Sequence, residues 1–191
     1  PVSGDKDGSE FVLVLHYLGL AHPTGYPLYT VLGHLFVRAL GALGASPQLA
    51  ANLWSAAGGG VAVCFLHALA ARLPGRDAAL GRAGRFWVAL PPALLFALNP
   101  IWTFEATLAE VYSWHGAWVA GTAVCFLRLM RADAGAWPAA RLCRHGALWG
   151  ALCGVGGAHH ATALLIAAPL TLALAIRLAT LRRLRPAAAA T

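Results

Sequence analysis

Apolar positions dominate this chain and are interrupted by short polar or proline-glycine breaks. Between those breaks the pattern predicts helices over about 8–20, 26–43, 48–72, 86–98, 103–130, 142–156 and 159–181. The breaks are His22-Pro23-Thr24-Gly25, Ala45-Ser46-Pro47, Leu73-Pro74-Gly75, Asn99-Pro100, Trp137-Pro138 and Gly154-Val155-Gly156-Gly157. Each is built from residues that favour turns. Pro91-Pro92 lies early in the fourth segment and predicts a kink there. About 20 consecutive apolar residues cross a bilayer, and 48–72, 86–98, 103–130, 142–156 and 159–181 are read as five spans. The fourth is short and is expected to tilt or to extend toward Gly84.

Composition supports an all-α polytopic membrane protein. Only 11% of residues are charged, against about 25% in soluble domains. The net charge of +7 does not point to nucleic acid, because the basic residues cluster between apolar segments and are not interleaved with stacking aromatics. Cys64, Cys125, Cys143 and Cys153 form no C-x-x-C pair and read as buried thiols. The chain opens on polar residues without an initiator Met, so a fragment is expected, with a span preceding Pro1.

Charge then sets the topology. Arg72, Arg76, Arg82 and Arg85, then Arg128, Arg131, Arg141 and Arg144, then Arg177, Arg182, Arg183 and Arg185 make up twelve of the 14 Lys and Arg residues. They occupy alternate connections, which the positive-inside rule places in the cytoplasm. Asp5, Asp7, Glu10, Glu105 and Glu110, five of the seven acids, fall on the opposite, outer side. Segment 26–43 carries His34 and Arg38 one turn apart, which suits a helix lying in the outer interface rather than a span. The expected organisation is an outer loop over 1–47, a five-span bundle over 48–181 and a basic cytoplasmic tail or linker over 182–191.

Several side chains carry candidate chemistry. Asp7 and Glu10, at i,i+3, share a helix face, with Asp5 just upstream. A carboxylate there can act as a general base or metal ligand, or cap the helix N-terminus. His22 sits in the tight His-Pro turn, where it serves structure or substrate. Glu110 lies inside the fifth segment, and a carboxylate within a span is a functional candidate by default. Glu105 projects about 140° away from it and reads as a solvated rim charge. His159 and His160 follow a glycine-rich turn and offer a phosphate donor, a metal ligand or a hydrated pair. Arg38 can grip a phosphate or snorkel. Trp102, Trp114 and Trp118 read as interface aromatics.

Asp7-Gly8-Ser9-Glu10-Phe11 and Leu18-Gly19-Leu20-Ala21-His22-Pro23-Thr24-Gly25-Tyr26-Pro27-Leu28-Tyr29 resemble the first luminal loop of the transmembrane protein 260-like family (domain of unknown function 2723). The family pattern there reads D-S-G-E-F, then L-G-I-A-H-P-P-G-Y-P-L-Y. Ala109-Glu110-Val111-Tyr112 matches its A-E-V-Y segment, and Gly157-Ala158-His159-His160-Ala161-Thr162 is similar to a further G-x-H-x-T-like turn. The central pair of the acidic motif is swapped here, and Thr24 stands where the family has a second Pro.

That family is similar to GT-C glycosyltransferases, including protein O-mannosyltransferases. The resemblance implies a GT-C-like helix bundle with interfacial helices in its first outer loop. It implies transfer of a sugar, mannose above all, from a polyprenyl- or dolichyl-phosphate carrier to a protein or glycan hydroxyl on the luminal or periplasmic side. Asp7 is then the expected base, with Asp5 and Glu10 as rivals. His22, Arg38, His159 and His160 are candidates for the leaving phosphate, and Glu110 for sugar hydroxyls, a metal or a basic partner. Tyr26 and Tyr112 fall in the matched motifs as further substrate contacts. No cofactor is required by this reading; a divalent cation is left open. The expected setting is the endoplasmic reticulum membrane or a bacterial inner membrane.

Two other classes compete. A transporter or channel would line a polar path with Glu110 and the histidines, although the one-sided acids argue against it. A haem or metal protein would need histidines at matched depth, such as His67 with His145.

Overall fold

A computed structural model describes residues 6–23, 26–73, 80–132 and 136–188. Among them every regular element is helical: α1 (Lys6–Tyr17), α2 (Pro27–Ala42), α3 (Pro47–Ala70), α4 (Arg82–Ala97), α5 (Pro100–Thr107), α6 (Tyr112–Arg131), α7 (Ala139–His159) and α8 (Ala163–Ala188). The chain forms two compact units, Pro1–Gly121 and Thr122–Thr191, divided within α6. Asp5, Thr24, Gly25, Arg76, Asp77 and Asp133 lie outside the described residues.

Two helix starts follow directly from their sequences. Ser46 accepts a hydrogen bond from the Leu49 N–H at 3.3 Å, with Pro47 as the first residue of α3. Asn99 accepts from the N–H groups of Ile101 and Trp102, with Pro100 opening α5. A polar cap followed by proline satisfies otherwise orphaned donors and presets the first helical turn.

In the first unit α3 is the central element, packing against α1, α2, α4 and α5. The face of α1 formed by Phe11, Val14 and Leu15 is buried, as its i, i+3, i+4 spacing requires. It meets Tyr29 and Val37 of α2, Ala50 and Ala51 of α3, and Ala109 and Val111. The opposite face of α2 leaves Val31, Leu32 and Leu35 exposed. Close approach depends on two glycines. A Cβ at Gly33 would stand 2.7 Å from both the Leu15 and Trp54 side chains. One at Gly58 would stand 2.8 Å from the Trp114 ring and 2.9 Å from Ser113 Oγ.

Two helices, Pro47–Ala70 and Ala163–Leu181, are long and apolar enough to cross a membrane, and the α4–α5 pair, bent by 69°, makes a third candidate. The predicted span 103–130 is not continuous. α5 ends at Thr107, Leu108 is extended and α6 begins at Tyr112. Helix α4 continues through Pro91 and Pro92, and the bend follows at the Asn99 cap.

In the second unit the end of α6 joins α7 and α8. Trp149 Nε1–H donates to Thr171 Oγ1 at 2.9 Å, and that hydroxyl donates back to Ala167 O. The break predicted at Gly154–Gly157 is absent: α7 runs through these glycines to His159. Helix α8 continues to Ala188.

Gly58→Val is expected to cost about 1–3 kcal/mol by overpacking the α3–α6 contact. At Gly60 a Cβ meets nothing within 4 Å, so Gly60→Ala should be neutral or stabilising through helix propensity. Thermal unfolding of the two variants in detergent compares them.

Candidate functional site

The site is built where α1, the turn after it and the start of α2 close on one another. Leu18 adopts a left-handed conformation (φ 55°) and the Gly19 N–H returns to Val14 O at 2.9 Å, ending α1 and reversing the chain. The reversal carries His22 back onto Glu10. The His22 backbone N–H donates to Glu10 Oε1 at 2.7 Å, and its ring Nδ1 meets Oε2 at 3.2 Å. With the proton on Nδ1, Nε2 is the acceptor for the Tyr26 hydroxyl at 3.3 Å.

Tyr26 also has a left-handed backbone (φ 42°, ψ 54°) immediately before Pro27. Bulky side chains rarely adopt this conformation. Its cost is borne by what the ring gains: a buried position, edge contact with His22 and a tilted contact with Phe11. Phe11, only 1% exposed, touches the rings of His22, Tyr26 and Tyr29 at centroid distances of 5.4–5.7 Å. It is the apolar floor on which the polar turn is laid.

A second line of contacts reaches Glu110. Ser55 Oγ donates to Glu110 O and accepts from Glu110 N–H, each at 3.0 Å. With its one proton committed, Ser55 receives the Tyr29 O–H at 3.4 Å. The hydroxyl thus replaces helical hydrogen bonds at the α5–α6 break and fixes Glu110 in it. Glu110 is 5% exposed. The Glu110 expected inside a continuous span therefore occupies a non-helical junction.

Electrostatics ties the two lines together. The Tyr26 phenol is pushed above its ordinary range by burial, then by Tyr112, Glu110, Asp7 and Glu10. Burial likewise raises the Tyr29 phenol, partly opposed by Ser55 and reinforced by Glu110. Glu10 is held below its ordinary 4.5, first by the His22 backbone N–H and then, against the opposing effect of burial, by the His22 ring. Both Glu10 oxygens are occupied by His22, so this acid positions the turn and is a weakened base. Asp7 is exposed and accepts no hydrogen bond among the described residues.

Asp7, Glu10, His22, Tyr26, Glu110 and Tyr112 thus form one neighbourhood. Arg38 does not join it: it lies about 18 Å along α2 from Tyr26 at 1.5 Å per residue and lines a separate cavity with His16 and Pro47. His159 and His160 belong to the second unit. His159 is buried at the end of α7, while His160 Nδ1 lies 2.7 Å from Thr162 Oγ1. Trp114 and Trp118 are not simply interface aromatics. Trp114 Nε1–H donates to Trp54 O at 2.9 Å with the two rings 4.3 Å apart, and Trp118 is buried.

Residues 7–182 match the family described as "Protein O-mannosyl-transferase TMEM260 N-terminal domain". The chain belongs to this family. A relative from Dictyostelium discoideum, "Protein O-mannosyl-transferase tmem260", is 32% identical over 120 residues. That alignment covers 62% of this chain and 13% of the relative, so the TMEM260-type domain seen here spans a small part of the relative's length. No solved structure matches the chain.

Asp7 Oδ, Glu10 Oε and a His22 ring nitrogen lie within 4.8 Å of one another. Two carboxylates and an imidazole are a donor set that a divalent cation can use, at the expense of the Glu10–His22 contact.

Because the Glu10 pKa is lowered on folding, its contribution to stability is present above the unfolded value and is lost as pH falls through the folded one. Acidification below about 4.5 is expected to release the His22 turn. Hydrogen exchange at the His22 amide should register that step in the parent protein, and Glu10→Gln should abolish it.

Proposed function

We propose that this domain carries the acidic, donor-side part of a membrane protein O-mannosyltransferase. It takes mannose from a polyprenyl- or dolichyl-phosphate carrier on the luminal or periplasmic side. The observation that carries the reading is the open Asp7 carboxylate beside the occupied Glu10–His22–Tyr26 chain, with buried Glu110 in the same neighbourhood. Membership of the O-mannosyl-transferase family supports it, as does the one-sided distribution of acids.

In the proposed step the acceptor hydroxyl oxygen forms a bond to the anomeric carbon. Its proton passes to Asp7, and the bond from that carbon to the lipid-phosphate oxygen breaks. One displacement of this kind inverts the anomeric centre. Glu10 holds His22 in place; a second proton on the His22 ring would turn Nε2 into a donor, and His22 and Tyr26 could then both donate to the charge that grows on the departing phosphate. Glu110 and Tyr112 contact sugar hydroxyls. Arg38 is assigned no part in the transfer. Asp5 is a rival base that lies outside the described residues. Helix α2, with its exposed Val31, Leu32 and Leu35, rests in the outer interface, where the carrier's isoprenoid tail is available.

The test uses the full-length parent in detergent with labelled polyprenyl-phosphate mannose and an acceptor peptide. Asp7→Asn should lower transfer about 10²–10⁴-fold while leaving donor binding intact. Glu10→Gln should impair both turn stability and transfer. Binding without any turnover in the wild type, or full turnover in Asp7→Asn, would remove Asp7 as the base. Failure of all lipid-linked donors to bind would favour a transport role instead.

The spacing of Asp7, Glu10 and His22 favours one second reading, a divalent cation held by these three side chains. Chelation should then abolish transfer and added manganese restore it. Under direct proton transfer to Asp7, activity survives chelation.

A further inference from the structure

The second unit contains a pocket that the transfer chemistry does not use. A cavity of about 210 Å³ lies between α7 and α8 and is lined by Trp137, Leu142, His145, Trp149, Leu174 and Arg177 among others. Its walls are almost wholly apolar, and its volume is below the roughly 300–1,000 Å³ of pockets that take a whole drug-sized molecule. It suits a length of hydrocarbon chain.

Residues 122–191 include eight arginines and one acid, Asp133, which lies outside the described residues. Arg177 has no ion pair among the described residues, and its Nε is buried without a hydrogen-bond partner. An unmet, desolvated guanidinium donor is costly. At the rim, the Arg141 guanidinium lies 4.5 Å from the centre of the Trp137 ring, whose other neighbour is His145 at 4.4 Å. His145 Nδ1–H is spent on Arg141 O at 2.8 Å, leaving Nε2 outward of that bond. These groups lie at the end of α8 that the positive-inside rule assigns to the cytoplasm. Basic pockets between membrane helices on that side suit anionic lipid headgroups.

We propose that this pocket binds an anionic phospholipid of the cytoplasmic leaflet. One acyl chain lies between α7 and α8, Arg177 pairs with the phosphate, and Arg141 and His145 face the headgroup. The site is independent of the mannosyl-transfer reading. Charge complementarity selects the occupant: a zwitterionic lipid brings its own cation to a pocket already lined by Arg177, with Arg141 over the Trp137 ring.

The experiment is native mass spectrometry of the full-length parent, exchanged into mixed micelles of phosphatidylglycerol and phosphatidylcholine. Wild type should retain phosphatidylglycerol preferentially, and Arg177→Gln should reduce that preference about fivefold, as loss of one basic contact implies. Leu174→Trp, which fills the cavity and leaves the arginines in place, should lower retention of both lipids. Thermal melts establish that each variant is folded. A photo-crosslinking residue at position 178 should label lipid. Equal retention of the two lipids, an unchanged preference in folded Arg177→Gln, or crosslinks to another segment of the chain would overturn the proposal.

Discussion

The double contact between Glu10 and His22 is the constraint from which the site follows. One carboxylate accepts both the backbone N–H and the ring of a residue twelve positions away. That closes the loop between α1 and α2 and selects which ring nitrogen bears the proton. It also brings Tyr26 close enough to complete the chain of contacts. A charge-assisted hydrogen bond is about twice as strong as a neutral one, and here it is laid over the buried Phe11 ring. The consequence for chemistry is a division of labour between acids three residues apart. Glu10 is consumed in building the turn, which leaves Asp7 uncommitted beside it.

A comparable economy operates at α3. Ser55 makes both backbone hydrogen bonds to Glu110 and receives the Tyr29 hydroxyl. The helix break between α5 and α6 is tolerable because this single hydroxyl supplies the partners that the interrupted helix cannot. Non-helical backbone amid apolar helices needs such compensation. The same contacts join α2, α3 and the junction before α6, so the placement of Glu110 and the packing of Tyr29 are not separable.

Much of the helical plan was legible from local chemistry. Ser46-Pro47 and Asn99-Pro100 mark helix starts because cap and proline act within a few residues. The acid pair, the His-Pro turn and the A-E-V-Y segment pointed to a common site. The break at 108–111 was not legible, since Leu108-Ala109-Glu110-Val111 contains neither proline nor glycine. It is held by Ser55, more than fifty positions earlier and carrying no motif. Gly154–Gly157 misled in the opposite direction, because glycines are tolerated within α7. Charge alone did not separate Asp7 from Glu10, as their difference lies in which of them His22 reaches. Arg38 was grouped with the acids by sidedness, but the length of α2 carries it away.

The backbone of Tyr26 has an implication for how this domain changes under mutation. A left-handed residue that is not glycine makes the folded chain less stable than its composition would allow. Glycine would relax that conformation but would delete the phenol that reaches His22. Selection for thermal robustness and selection for placement of the His22 ring therefore push position 26 in opposite directions. Directed evolution toward a sturdier domain would find its easiest gain at one of the side chains that shape the site, a conflict of the kind that separates stability from activity.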